Sequence, residues 1–336
     1  MPDDVSVIVP VWNGRAMVER LMASLRAQTH PIAEVVVVDN GSEDGAPEAA
    51  EALGARIVRM GENAGFSRAV NRGIQECAGG WLALVNSDVE LEPTWLEKLI
   101  AAAAEPGVWF AAGKILSATD HQVIDGTYDT LCRGACAWRV GHDRADGAEF
   151  SKATVISFAP GTASVFRAEL FQRVGLLDES FESYMEDVEF GLRCACFEYH
   201  GRYVPEALAY HVGSAALGRW HPETVRRIAR NQVFLVAKYY PVRLFFRLAW
   251  PVVVGQSLWG LVAMRHGTLG AFLRGKLEGL TGFPTQRRNA PAAGIEPHRL
   301  LRILQESENE IRHIQRRTGF DWYWRVYLAL TAGGAD

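Results

Sequence analysis

Cysteine is scarce in this chain. The five present, Cys77, Cys132, Cys136, Cys194 and Cys196, are too few and too unevenly spaced across 336 residues for a disulfide framework, and no CxxC pair offers a zinc site. A reducing, cytosolic setting is therefore expected. No basic segment followed by an apolar one precedes the first strand-like run at Val5, so no secretory leader is expected. Several catalytic signatures are also missing. There is no GxGxxG after the first strand, no phosphate loop of the GxxxxGKS/T kind, no GxSxG and no HExxH. These absences count against dinucleotide enzymes, P-loop enzymes, serine hydrolases of the elbow type and zincins. With 49% hydrophobic and 22% charged residues, disordered, collagen-like and coiled-coil chains are excluded as well.

The charge that is present is unevenly spread. Residues 1–218 carry 17 Lys and Arg against 31 Asp and Glu, a net of −14, whereas residues 219–336 carry 18 against 8, a net of +10. Two parts with different neighbours follow: a domain over 1–218, with a nucleotide-binding half near 1–116 and a second half near 117–218, and a basic helical region over 219–336. The basic region is rich in Phe, Trp and Leu, a mixture that fits a membrane surface and not nucleic acid.

The first hundred residues alternate between short apolar runs and helix-period segments. Val5–Val11, Glu34–Asp39, Arg56–Met60 and Trp81–Asn86 read as strands; Met17, Val18, Leu21, Met22 and Leu25 recur at helical spacing, and a second helix is expected near Ser67–Ala78. Strands apolar throughout are buried on both faces, which predicts an α/β fold with a mostly parallel sheet flanked by helices. Residues 117–153 show no sustained period and are expected to be irregular, as a lid or a disordered stretch. Strand-like runs resume at Val155–Phe158 and Ala163–Phe166, with a helix over Tyr184–Phe197 and a strand near Arg202–Pro205.

In such sheets ligands bind beyond the carboxyl ends of the strands, which directs attention to Pro10–Asn13, Asp39–Ser42 and Asn86–Asp88. Asp39, followed by Asn40-Gly41-Ser42, suits a ribose or base contact; it suits an ordinary Asx turn equally well. Asp88 could hold Mg2+ or Mn2+ against a diphosphate, since hard cations take oxygen ligands, although one carboxylate makes a weak site. Glu186 and Asp187 open a helix, where a carboxylate stays ionised and can accept a proton from a hydroxyl; dipole compensation is the bland alternative. Glu189 and Arg193 read as an ordinary i,i+4 pair of about 0.3–0.5 kcal/mol. His211 alone reads as structural more readily than as a ligand.

Taken in order, VSVIVPVWNG, VVVVDNGSEDG, ENAGFSRAVNRGI, ALVNSDVEL, PGTASVFRAELFQRVGLLDESFESYMEDVEFGLR and YVPEALAYHVGS resemble the family 2 inverting glycosyltransferases of GT-A fold, most of all the bacterial rhamnosyltransferase-like branch. The resemblance covers roughly residues 5–215. It implies transfer of a sugar from a nucleotide diphosphate donor to an acceptor hydroxyl, with rhamnose from a dTDP donor as the guess by likeness. By that resemblance Asp39 holds the nucleoside, Pro10 and Asn13 line its pocket, and Asn63, Arg68, Asn86 and Ser87 lie along the donor. Asp88 and His211 would hold the divalent cation, Asp187 would be the general base and Glu186 its neighbour. Where the family often has DxD, this chain has Asn86-Ser87-Asp88, which removes one charge from the metal shell. Two other readings stay open: a nucleotidyltransferase, although Pro10–Arg15 lacks a dense basic glycine loop, and a catalytically silent glycan-binding or scaffolding protein.

The run Leu248–Met264 is uncharged, but Pro251, Gln256 and Ser257 count against a clean membrane span, and an interfacial helix is expected. Arg243, Arg247, Arg265, Arg274 and Lys276 would face anionic headgroups, with Trp250, Trp259 and Phe272 as anchors. A peripheral position at the inner face of the cell membrane would suit a polyprenyl-diphosphate-linked acceptor. Packing of this region as a helical subdomain or against a second copy in a homodimer is the alternative.

Overall fold

The computed structural model describes residues 4–213, 218, 220–291 and 295–332. Two compact units form, one from Met1–Asp129 with Gly141–Ala216, the other from Thr130–Val140 with Leu217–Asp336. The boundary drawn from the sequence at 218 falls beside residues 214–217 and 219, which lie outside the described residues.

The first unit begins with β1 (Val5–Val11), α1 (Arg15–Arg26), β2 (Glu34–Asp39), α2 (Ala46–Ala52), β3 (Arg56–Arg59), α3 (Phe66–Glu76) and β4 (Trp81–Val85). β1 lies between β2 and β4 and runs parallel to both. Its Val5, Val7, Ile8 and Val9 are fully buried, as a strand covered on both faces requires. α1 buries Val18, Leu21, Met22 and Leu25, one stripe at helical spacing. α3 comes so close to the sheet that a Cβ on Gly73 would lie 2.4 Å from Ile8 Cγ2.

β5 (Val89–Leu91), α4 (Trp95–Ala103), β6 (Val108–Ser117) and β7 (Val123–Gly126) follow. After β8 (Asp129–Leu131) and β9 (Ala137–Arg139), which pair with each other, come β10 (Arg144–Ala145), β11 (Thr154–Ile156), β12 (Ala163–Arg167), α5 (Ala168–Val174), α6 (Glu186–Cys196) and β13 (His200–His211). The stretch 117–153 is thus not irregular throughout: its strands are two to four residues long and pair with one another and with the adjoining β6, too short to leave a periodic trace in the sequence.

The sheet runs β10-β7-β6-β12-β4-β1-β2-β3. β12 inserts antiparallel to both β4 and β6, with Ala163 opposite Val85, so residues 160–162 arrive beside the carboxyl end of β4. β13 runs parallel to β6 with a register shift between Val204 and Leu208, then pairs with β5, setting His211 opposite Val89.

The second unit holds β9 and residues 130–131 of β8, and adds α7 (Pro222–Tyr239), α8 (Phe245–Arg265), α9 (Leu269–Arg288), α10 (Pro297–Thr318) and α11 (Trp322–Leu330). α9 meets α7 through glycines: a Cβ on Gly275 would lie 2.1 Å from the Arg226 carbonyl oxygen. At the centre, Arg133 Nε donates to Glu308 Oε2 at 2.8 Å with side chains 2% and 4% exposed, while the Arg133 amide and Tyr327 Oη donate to Glu308 Oε1.

Two expectations for the tail are corrected. Lys276 does not face outward: its Nζ is buried and donates to Ala229 O, Gln232 Oε1 and Gln256 Oε1. Burial pushes its pKa down to about 7. Phe272 is buried against Trp259, which is itself only partly exposed, so neither is a free anchor. Both errors share a cause, since composition does not say which side of a helix faces the protein. In the first unit, Glu189 and Arg193 are not a surface pair. Glu189 is fully buried, and Arg193 also donates to Val174 O and Leu176 O, so removing one partner would strand the other.

Candidate active site

At the carboxyl ends of β1 and β2 two loops are sewn together by polar side chains. Asn13, at φ 62°, donates its amide to Ser42 Oγ and accepts from the Glu43 amide through Oδ1. Asp44 accepts from the amides of Gly14 and Arg15. Asp39 is buried; its Oδ1 accepts the Ser42 amide at 2.8 Å, the Asx turn, and Oδ2 lies 3.6 Å from Arg59 Nη1. Gly41, at φ +83°, has to be glycine, because a Cβ there would meet the Glu62 carbonyl carbon at 2.9 Å. That close approach brings Asn63 into the same cluster, where its Oδ1 accepts from Asn40 Nδ2 and Asn40 Oδ1 accepts the Ala64 amide. Pro10 sits in β1 opposite Val38. Arg68 points elsewhere, to Glu179 at 3.3 Å.

The second cluster gathers where β4, β5, β7 and β13 end or begin. The Asn86 amide donates to Thr162 O, and Asn86 Oδ1 is buried without a hydrogen-bond partner. Ser87 follows, partly buried. Asp88 Oδ1 lies 3.2 Å from His211 Nε2, and the other ring nitrogen, Nδ1, lies 2.9 Å from Asp125 Oδ2. His142 Nδ1 in turn lies 2.6 Å from the Asp125 carbonyl oxygen. Burial of His211 opposes its charge, but the two carboxylates outweigh it and raise its pKa to about 9. Between two carboxylates the ring donates through both nitrogens.

Asp125 and His142 had not been singled out. They lie in the stretch without a sequence period; the return of β13 beside β6, which also pairs with β7, brings Asp125 to His211, and His142 follows through Asp125. The sole trace was an acidic residue in an apolar dipeptide context, Val123-Ile124-Asp125-Gly126.

The third group opens α6. Glu182, Tyr184 and Met185 all have positive φ (60°, 70° and 65°), a costly arrangement for side-chain-bearing residues that aims the helix start. Glu186 is buried, whereas Asp187 is partly exposed. Asp187 Oδ2 accepts the Gly161 amide at 3.0 Å, and Oδ1 accepts the Val188 amide at 2.8 Å. Gly161 precedes Thr162, the partner of Asn86, so the acid of α6 and the polar end of β4 are tied to adjacent residues of one loop.

When a cation displaces the proton from Nε2, His211 offers an imidazole nitrogen beside the hard oxygen of Asp88, a set that Mg2+ and Mn2+ accept, and Asn86 Oδ1 is an unsatisfied oxygen two residues from Asp88. Among the described residues no group of three His, Cys, Asp or Glu side chains makes a cation cage. Such a pair fits a cation whose shell is completed by phosphate oxygens and water.

Comparison with known proteins identifies the family and the fold. The profile described as "Glycosyl transferase family 2" matches residues 6–175. An N-acetylglucosaminyl-diphospho-decaprenol L-rhamnosyltransferase of Mycobacterium tuberculosis is 29% identical over 245 residues, covering 65% of this chain and 79% of that protein. A pre-mycofactocin glycosyltransferase of the same organism is 29% identical over 221 residues, covering 65% of this chain and 44% of that protein. Among solved structures, a mannosyltransferase from Pyrobaculum calidifontis in complex with GDP-Man and Mn2+ aligns with TM-score 0.53 at 18% identity, over 100% of this chain and 90% of that one. GalNAc-T7 with UDP, GalNAc and Mn2+ aligns with TM-score 0.62 at 14% identity, over 94% of this chain and 58% of that one. At such identities the likeness is one of fold, the GT-A fold. With half its length matched and this fold around its strand ends, the chain belongs to glycosyl transferase family 2 and is a sugar-transferring enzyme.

Proposed function

We propose that this enzyme moves rhamnose from dTDP-rhamnose, with inversion, to a hydroxyl of a polyprenyl-diphosphate-linked glycan during polysaccharide assembly at the cytoplasmic face of the membrane. The observation that carries the reaction type is the loop 161–162, which ties Asp187 and Asn86 to adjacent backbone groups. The sugar and the lipid-linked acceptor lean on the name of the mycobacterial rhamnosyltransferase.

In this reading Asp39, Asn13 and Asn63 take the nucleoside end of the donor, with Pro10 shaping the pocket floor. Asn86 and Ser87 face the diphosphate. A bound Mg2+ or Mn2+, held by Asp88 and His211, supplies positive charge beside the departing diphosphate. Asp125 fixes the His211 ring through Nδ1, leaving Nε2 directed at Asp88. Asp187 is the base. The bond from the anomeric carbon to the diphosphate breaks with its electron pair leaving on phosphate oxygen, the acceptor oxygen bonds to the opposite face, and its proton passes to Asp187. Amide donation from Gly161 and Val188 keeps that carboxylate oriented. Glu186, buried beside it, steadies the helix start. Arg68, paired to Glu179, reaches the donor only by leaving that partner.

The test is a donor screen. Nucleoside diphosphate release from dTDP-, UDP- and GDP-sugars is measured with Mg2+ or Mn2+ and a polyprenyl-diphosphate N-acetylglucosamine acceptor. Acceptor-dependent dTDP release from dTDP-rhamnose is expected; turnover confined to another donor would overturn the assignment of rhamnose, and a retained anomeric configuration would overturn the direct displacement.

A further inference from the structure

Among the described residues one helix, Phe246–Arg265, is long and apolar enough to cross a membrane. Its two sides differ. Phe246, Trp250, Val253, Leu261 and Met264 are between 47% and 94% exposed, and their spacing places them on one stripe about 27 Å long. On the neighbouring α9, Leu273, Leu277 and Leu280 form a second stripe, 56–63% exposed. The opposite sides are fastened to protein. Leu248, Val254, Leu258 and Ala263 of α8 are buried, Gln256 Nε2 donates to Gly134 O, and Gln256 Oε1 accepts from Lys276. Arg243 and Arg247 near the start of α8, Arg265 at its end and Arg274 on α9 are all exposed, Arg274 with its Nε on Glu278 Oε1 at 3.0 Å.

We propose that the outer stripes of α8 and α9 lie flat in the headgroup layer of an anionic bilayer, their apolar side chains immersed and the arginines paired with lipid phosphates. The proposal rests on the membrane-linked acceptor read above and specifies the surface that meets the membrane. A spanning α8 would carry Gln256 into hydrocarbon and away from Gly134 and from Lys276 of α9, which is costly, whereas an in-plane helix leaves these groups where they are already hydrogen-bonded. A second copy of the chain is disfavoured by charge: residues 219–336 carry a net of +10, so arginine would face arginine. Anionic headgroups have the complementary sign.

The experiment is sedimentation of the full chain with vesicles of phosphatidylcholine alone or mixed equally with phosphatidylglycerol, at low and high salt. Binding to the mixed vesicles only is expected, weakened at least about tenfold by Val253→Glu with Leu277→Glu. Arg247→Glu with Arg265→Glu should remove the preference for anionic lipid. Unchanged thermal unfolding of these outward-facing variants shows that they fold, and Trp250→Phe should abolish quenching by lipids brominated near the headgroup. Absence of binding at low salt overturns the proposal, as does binding that survives alkaline carbonate extraction, the mark of a spanning helix. A dimer in sedimentation velocity that Val253→Glu dissociates while vesicle binding persists unchanged assigns the stripes to a second copy and also overturns it. Vesicle binding as expected without transfer to any lipid-linked acceptor would sink the acceptor assignment and leave the surface standing.

Discussion

The two units treat charge in opposite ways. In the first, carboxylates at the strand ends and at the start of α6 accept backbone amides: Asp187 from Gly161 and Val188, Asp39 from Ser42, Asp44 from Gly14 and Arg15. In the second, Glu308 is surrounded by Arg133 and Tyr327, with nothing left to offer a ligand. An acid oriented by neutral amides is available for chemistry, while an acid saturated by a buried cation is a structural joint.

Substitutions can break or sharpen that contrast. The largest effect is expected from Asp187→Asn, whose single side-chain oxygen keeps one of the Gly161 and Val188 contacts but cannot take a proton. Turnover should fall by about 10²–10⁴ with nucleotide affinity unchanged, measured by single-turnover transfer and by calorimetry. Near-wild-type turnover would erase the distinction from the side of the first unit.

From the other side, Arg133→Met should cost about 3–5 kcal/mol in denaturant unfolding, because it strands a buried carboxylate. Adding Glu308→Leu should recover much of that loss. If the single variant unfolds like the parent, the joint is not one.

Asp125→Asn is expected to weaken Mn2+ binding by about 10–100-fold, read by paramagnetic resonance titration, with His211→Ala and Asp88→Asn weakening it at least as much. Loss in the latter two and not in the first would confine the site to Asp88 and His211.

A pH-dependent effect is expected at Lys276. Its folded pKa, about 7, lies below the roughly 10.4 of an unfolded lysine, so the unfolded chain holds more protons between those values. Stability should therefore rise with pH from about 7 toward 10, and Lys276→Met should flatten that slope in melting curves.

Much of the fold was legible because parallel strands buried on both faces announce themselves: Val5–Val11, Glu34–Asp39 and Trp81–Val85 are where apolar runs place them. Pairing direction is not written in such runs, so nothing in Ala163–Arg167 revealed that it inserts antiparallel between β4 and β6. Asp88, Asp187 and His211 could be singled out from strand ends, a helix start and motif order. Asp125 could not, since its place beside His211 is made by tertiary pairing alone. For Lys276 and Phe272 the residue types were legible and their facing was not, because α9 is rich in small residues on the side that meets α7, which lets the neighbouring positions turn inward.

The insertion of β12 also bears on how such enzymes can be recombined. A fragment ending near residue 116 would leave β4 with a bare edge and β6 without the strand that joins it to the rest of the sheet. Exchanging whole halves between relatives to graft a new acceptor onto an old donor would therefore set a foreign β12 between the native β4 and β6, and new specificities are better sought by transplanting the loops that leave the strand tips.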